Sequence, residues 1–176
     1  YNAYPIEEEN IRNARHAYYG MISYTDALIG KLIDTLEETG LDENTVVVFV
    51  SDHGEMLGER GMWHKLSMFE HSVRIPMFIS GSGITAQRDS SNVSIIDIAP
   101  TLIEMAGGKL EDLPVTLAGR SLKKSIISDT KTGEEQGKND FPVISDFSAG
   151  GAPGPVRMVK KGSYKLVLTY GYDPLL

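Results

Sequence analysis

Asp52 and His53 directly follow a continuous apolar run, and Lys65 closes the glycine-rich stretch that they open, SDHGEMLGERGMWHK, residues 51–65. Aspartate offers a hard anionic oxygen and histidine an imidazole nitrogen, a mixed pair suited to a divalent cation. In open α/β sheets ligands bind outside the carboxyl ends of the strands, so both side chains fall where chemistry is expected. Gly54 lets the chain turn sharply beside them. Gly58 and Gly61 allow the loop to fold back, so that Lys65 could present a compact positive charge to a transferring oxyanion. Each assignment has a structural counterpart: Asp52 capping a turn, His53 an ordinary surface histidine, Lys65 a solvated lysine. Trp63 reads as a packing anchor.

The elements that must position these residues are marked by periodicity. From Glu7 to Thr39 apolar residues recur at three- and four-residue steps, with Glu7, Glu8 and Glu9 at the start and Gly40 at the C′ position, which predicts one long helix. Thr45 to Ser51 is continuously apolar and β-branched, the mark of a strand covered on both faces in a parallel sheet. Pro76 to Ser80 is a shorter strand. Ser94 to Ala106 predicts a helix with Asp97 near its start, Pro100 in its first turn and Gly107-Gly108 at its end. Ser128 to Asp140 is polar and glycine-punctuated, a loop. Pro142–Phe147, Val156–Lys160 and Ser163–Thr169 read as short strands, with a turn at Lys161-Gly162, and so as a small antiparallel sheet. Glu70 and Arg74 stand four apart as a structural ion pair, and Arg120 anchors the chain reversal before Leu122.

The composition narrows the class. The chain has 176 residues, 17 basic and 24 acidic, for a net charge of −7, and is 41% hydrophobic and 23% charged. These are the fractions of a globular protein. The acidic balance argues against a general nucleic-acid binder. No apolar run reaches the ~18–20 residues that span a bilayer, so no membrane partner is expected. Cysteine is absent, which excludes disulfides, thiolate metal sites and a cysteine nucleophile within these residues.

Taken together, residues 51–65, the following SMFEHSVRIP, the preceding YYGMISYTDALIGKLIDTLEETGL, the later SIIDIAPTLIEMAG and Gly119-Arg120-Ser121-Leu122 resemble the sulfatase family, on its choline-sulfatase-like branch. The terminal RMVKKGSYKLVLTYGYDPLL resembles the small C-terminal sheet of those enzymes. The resemblance implies an α/β, alkaline phosphatase-like fold: the C-terminal part of a helix-covered, mainly parallel sheet over residues 1–125, and a small antiparallel α+β subdomain over 126–176. It implies hydrolysis of a small-molecule sulfate ester by a formylglycine hydrate, made from a Cys or Ser in a C/S-x-P-x-R motif. A divalent metal, calcium, magnesium or manganese, is implied with it. Asp52 and His53 match the family's second pair of metal ligands, and Lys65 the lysine that contacts sulfate. His64 and Asp146 are the further substrate-binding candidates, the latter because a quaternary ammonium favours a carboxylate beside an aromatic such as Phe147.

The nucleophile motif is not found in these residues, since GAPGPVR around Pro155 and Arg157 lacks both the nucleophile and the spacing. With Tyr1 in place of a starting Met, the expectation is the C-terminal portion of a longer sulfatase, inactive alone. The cellular compartment stays open. The alternatives are a phosphoester or phosphonate monoester hydrolase of the same superfamily and a non-catalytic interaction module. An uncovered strand edge would make the segment a homo-oligomer.

Overall fold

The computed structural model describes residues 6–127, 141–148 and 154–175, which fall into two compact units. The polar stretch 128–140, expected to be a loop, lies outside the described residues.

The first unit comprises residues 1–65 and 69–82. Its long helix α1 (Glu8–Glu38) begins after Glu7, with Glu8 and Glu9 in the first turn, where carboxylates oppose the positive end of the helix dipole. Gly40 ends it at φ +67: the Gly40 N–H donates to the Glu37 carbonyl and the Leu41 N–H to that of Leu36, each at 3.0 Å. This is a Schellman closure, and it requires a residue at ease in the left-handed region. Strand β1 (Val47–Val50) pairs antiparallel with β2 (Met77–Ser80), Val47 opposite Ser80 and Val50 opposite Met77. The short helix α2 (Glu70–Val73) lies in the connection between them.

The pairing corrects the expected strand direction. An apolar run encodes burial, whereas direction is set by how the connection returns, which carries no hydrophobic signature. Coverage on both faces is also not met among the described residues. β1 is half-buried, and Phe49, tilted against Phe78 with ring centroids 5.7 Å apart, remains 36% exposed.

The second unit comprises residues 66–68 and 83–176. A 3₁₀ turn at Ile95–Asp97 leads into α3 (Ile98–Met105), where Pro100 lies in the first turn and needs no intrahelical N–H partner. Gly107 at φ +85 and Gly108 repeat the closure of α1, their N–H groups donating to Glu104 and Ile103. The short α4 (Lys123–Ile127) follows. β3 (Val143–Phe147), β4 (Val156–Lys161) and β5 (Tyr164–Thr169) form an antiparallel sheet in that order, as expected, with Met158 buried on the central strand. The β4–β5 turn is Gly162-Ser163, one residue later than expected, because Lys161 still pairs with Tyr164.

Candidate functional site

Ser51, Asp52 and His53 leave the carboxyl end of β1, where the strand alternation has stopped. The Asp52 carboxylate is largely exposed. Its Oδ1 accepts the His53 backbone N–H at 2.9 Å, and its Oδ2 lies 3.4 Å from His53 Nε2. His53 Nδ1 lies 2.8 Å from the Gly54 carbonyl oxygen, which can only accept. Nδ1 therefore carries a ring hydrogen, and Nε2 is the ring atom that faces Asp52.

A carboxylate oxygen and an imidazole nitrogen thus converge, a contact that either a second ring proton or a cation between them satisfies. Neighbouring donors around a metal–ligand distance of ~2.1–2.3 Å are about 3 Å apart, close to the observed separation. Asp52 and His53 therefore fit as two donors to a divalent ion. They do not make a full set: among the described residues no group of three or more His, Asp or Glu is placed to hold a metal.

Gly54 fixes the start of the loop. Its N–H donates to the Ser72 carbonyl at 2.8 Å, and a Cβ there would collide with the His71 carbonyl, so only glycine fits. Beyond it the backbone repeatedly enters the left-handed region, at Leu57, Gly58, Arg60, Gly61 and His64. Three of these five carry a Cβ, a concentration of conformations that persist only where surroundings enforce them.

Several contacts do so. Met56 is fully buried, and its N–H donates to the His64 carbonyl at 2.9 Å. Arg15 on α1 donates from Nε to the Leu57 carbonyl and from Nη2 to Glu59 Oε1, both at 2.8 Å. The Arg60 guanidinium stacks 4.5 Å from the Phe69 ring centre. A Cβ at Gly58 would meet Ile11 and the Trp63 ring, which places Trp63 as a packing anchor. Lys65 emerges exposed at the end of this braced loop, with no hydrogen bond or ion pair among the described residues. His64 is exposed beside it.

The sequence reading missed the braces. Arg15 and Glu59 look like surface charges in a one-dimensional pattern. Only the glycine spacing hinted that the loop turns back on itself.

Asp146 belongs to the second unit. On β3 it faces Arg157 of β4, whose Nε donates to Oδ1 at 2.6 Å and whose Nη2 donates to Oδ2 at 2.9 Å. The guanidinium holds the Asp146 carboxyl below its ordinary range, and the carboxylate in turn raises the pKa of Arg157. The pair lines an open cleft of about 460 Å³ with Phe147 and Tyr170. Its carboxylate is thus already compensated, which was not visible in the sequence.

Elsewhere in this unit, Arg120 anchors the chain reversal as expected. Its backbone N–H donates to Asp97 Oδ1 at 2.9 Å, its Nη2 to the Asn92 carbonyl at 2.6 Å, and its guanidinium lies over Phe141.

The chain belongs to the sulfatase family: the family model described as Sulfatase matches residues 1–108, and that described as N-sulphoglucosamine sulphohydrolase, C-terminal, matches residues 58–173. It is 38% identical over 167 residues to the choline-sulfatase of Rhizobium meliloti, covering 95% of this chain and 31% of that protein. It is 37% identical over 163 residues to arylsulfatase K of Bos taurus, covering 91% of this chain and 29% of that one. The chain therefore spans about a third of the length of these curated relatives. Among solved structures, a phosphonate monoester hydrolase from Silicibacter pomeroyi aligns with a TM-score of 0.81 over 98% of this chain and 36% of that one, at 24% identity. The fold is accordingly α/β and alkaline phosphatase-like. No described helix is long and apolar enough to cross a membrane.

Proposed function

We propose that this chain forms the C-terminal part of a sulfatase acting on a small-molecule sulfate ester. In this reading residues 1–125 complete the catalytic domain and residues 126–176 form the C-terminal subdomain. The observation that carries it is the convergence of Asp52 Oδ2 and His53 Nε2, 3.4 Å apart at the end of β1. Asp52 and His53 would hold a divalent metal (calcium, magnesium or manganese), which when bound supplies Lewis-acid neutralisation of charge on the ester oxygens. Nδ1, bonded to the Gly54 carbonyl, fixes the ring orientation and keeps Nε2 available as the donor atom.

Lys65 supplies a second, compact positive charge to the sulfuryl oxygens, whose negative charge must be held while the ester bond is broken. His64 flanks the same position. The formylglycine nucleophile and the remaining ligands come from sequence outside these residues, so the segment alone is inactive. Asp146, compensated by Arg157, would contact a cationic substrate group only with its guanidinium partner displaced.

The experiment is turnover of 4-nitrophenyl sulfate and choline sulfate by the enzyme that carries this segment. Asp52→Ala and Lys65→Ala should each lower kcat/KM by about 10²–10³-fold. Wild-type kinetics in either variant would remove that residue from the site.

The phosphonate monoester hydrolase of the same fold supports a second reading, a phosphoester or phosphonate ester as substrate. Preference for 4-nitrophenyl phenylphosphonate over 4-nitrophenyl sulfate would favour it.

A further inference from the structure

The loop between Asp52 and Lys65 also holds the carboxylate of Glu55. Glu55 Oε1 accepts the Leu57 backbone N–H at 3.2 Å and also accepts the N–H of His64. The His64 carbonyl is held by the N–H of the fully buried Met56. Both backbone groups of His64 are thus tied down, and its φ of +64 is a conformation uncommon for a residue with a Cβ. Leu57, at φ +47, is held likewise: its N–H by Glu55, its carbonyl by Arg15. Lys65 is the next residue after His64. The direction in which the chain leaves His64 therefore sets where the ammonium starts.

We infer that Glu55 is a positioning residue for Lys65. Its carboxylate locks the His64 backbone and so fixes the origin of the side chain that meets the sulfuryl group. The inference rests on the sulfatase reading for what Lys65 does, but the brace itself is independent of it. Glutamate suits the task because one oxygen accepts two N–H groups, and hydrogen bonds to a charged acceptor are roughly twice as strong as neutral ones. Glutamine retains an acceptor oxygen at the same reach; alanine retains none.

The test is a double-mutant cycle in the complete enzyme that carries this segment, with 4-nitrophenyl sulfate as substrate. Glu55→Ala should lower kcat about 10–100-fold, the scale of misplacing a reacting group by an ångström. Glu55→Gln should recover turnover to within about 3-fold of wild type by restoring the acceptor. In a Lys65→Ala background, Glu55→Ala should remove less than about 3-fold more, because residues acting as a unit are non-additive. The same loss factor in both backgrounds would overturn the inference, as would wild-type turnover in Glu55→Ala. Where Glu55→Ala fails to fold, Glu55→Asp replaces it: the charge is kept, the acceptor is withdrawn by one methylene, and a comparable loss of kcat is expected. Wild-type turnover in Lys65→Ala would overturn the sulfatase role of Lys65 and this inference with it.

A second readout needs no activity. In the complete enzyme that carries this segment the His64 amide should exchange slowly with deuterated solvent and become fast in Glu55→Ala. Equally slow exchange in both would show that Glu55 is no brace, whatever reaction the enzyme performs.

Discussion

Adjacent residues of an extended strand point to opposite faces, so Asp52 and His53 could not converge while β1 continued. They meet because regular pairing stops at Val50. The residue types and the strand end were therefore legible in the sequence, whereas the convergence was not: it depends on the Nδ1 contact with Gly54, a feature with no compositional trace. Asp146 shows the opposite case. Its aspartate and the neighbouring Phe147 suggested a ligand, yet cross-strand register places Arg157 directly opposite and engages both oxygens. Register between β3 and β4 could not be read through the intervening residues.

That ion pair has a testable consequence for acid stability. The folded-state pKa of Asp146 is held below its unfolded value by the hydrogen bonds and charge of Arg157. The associated stability is therefore present above the unfolded value of about 3.9 and is lost as pH falls through the folded value. Asp146→Asn should be less stable than wild type at pH 5–7, and the difference should shrink steadily below about pH 4. Urea midpoints for both proteins between pH 6 and pH 2 would check this. A pH-independent gap would show that the pair contributes through packing alone. The effect should also weaken with salt, since both side chains are more than half exposed.

At the level of elements, the helix ends were the most legible features. Gly40 and Gly107-Gly108 close α1 and α3 with the same pair of hydrogen bonds, because a left-handed C′ residue is a local requirement that glycine meets wherever it occurs. The partner of β1 was not legible, since strand direction is a tertiary property. Neither was the docking of Gly119–Leu122 on the start of α3, where Thr101 makes the joint. Fully buried, its hydroxyl donates to the Asp97 carbonyl at 2.6 Å and accepts the Leu122 N–H at 2.8 Å. The Asp97 carboxylate meanwhile bridges the N–H groups of Ser94 and Arg120. Thr101→Val keeps the shape but leaves the Leu122 N–H without its acceptor, at a cost of about 1–3 kcal/mol. Thr35→Val is the control, because the exposed Thr35 hydroxyl only back-bonds to Lys31 within α1 and its loss should stay within about 0.5 kcal/mol. Urea unfolding of the two variants compares them directly. Equal costs would mean that Thr101 is not the joint proposed.

For the whole chain, the decisive quantity is how much apolar surface remains uncovered. Met56, Met68 and Met158 are the only buried hydrophobic side chains among the described residues, a small core for 176 residues. On α1, Met21, Leu28 and Leu32 are 61%, 43% and 68% exposed, and on β2 Phe78 is 63% exposed. Scattered exposed residues are ordinary, but a long amphipathic helix with no fully buried residue is not, because packing of its apolar stripe is what stabilises such a helix. Met21, Leu28 and Leu32 are among the positions whose periodicity predicted burial. The stripe was thus read correctly as a surface that needs a cover, and the cover is not supplied by the described residues. We propose that the chain, studied alone, covers it by self-association. Dynamic light scattering should show dimers or larger species whose proportion rises with concentration, together with strong binding of a hydrophobic dye. Leu32→Glu and Phe78→Asp place charges on the two exposed surfaces and should shift the population toward monomer, each new charge costing far more in an apolar contact than in water. A clean monomer at high concentration for the unaltered chain would refute self-association. Oligomers of unchanged size in both variants would move the interface away from α1 and β2.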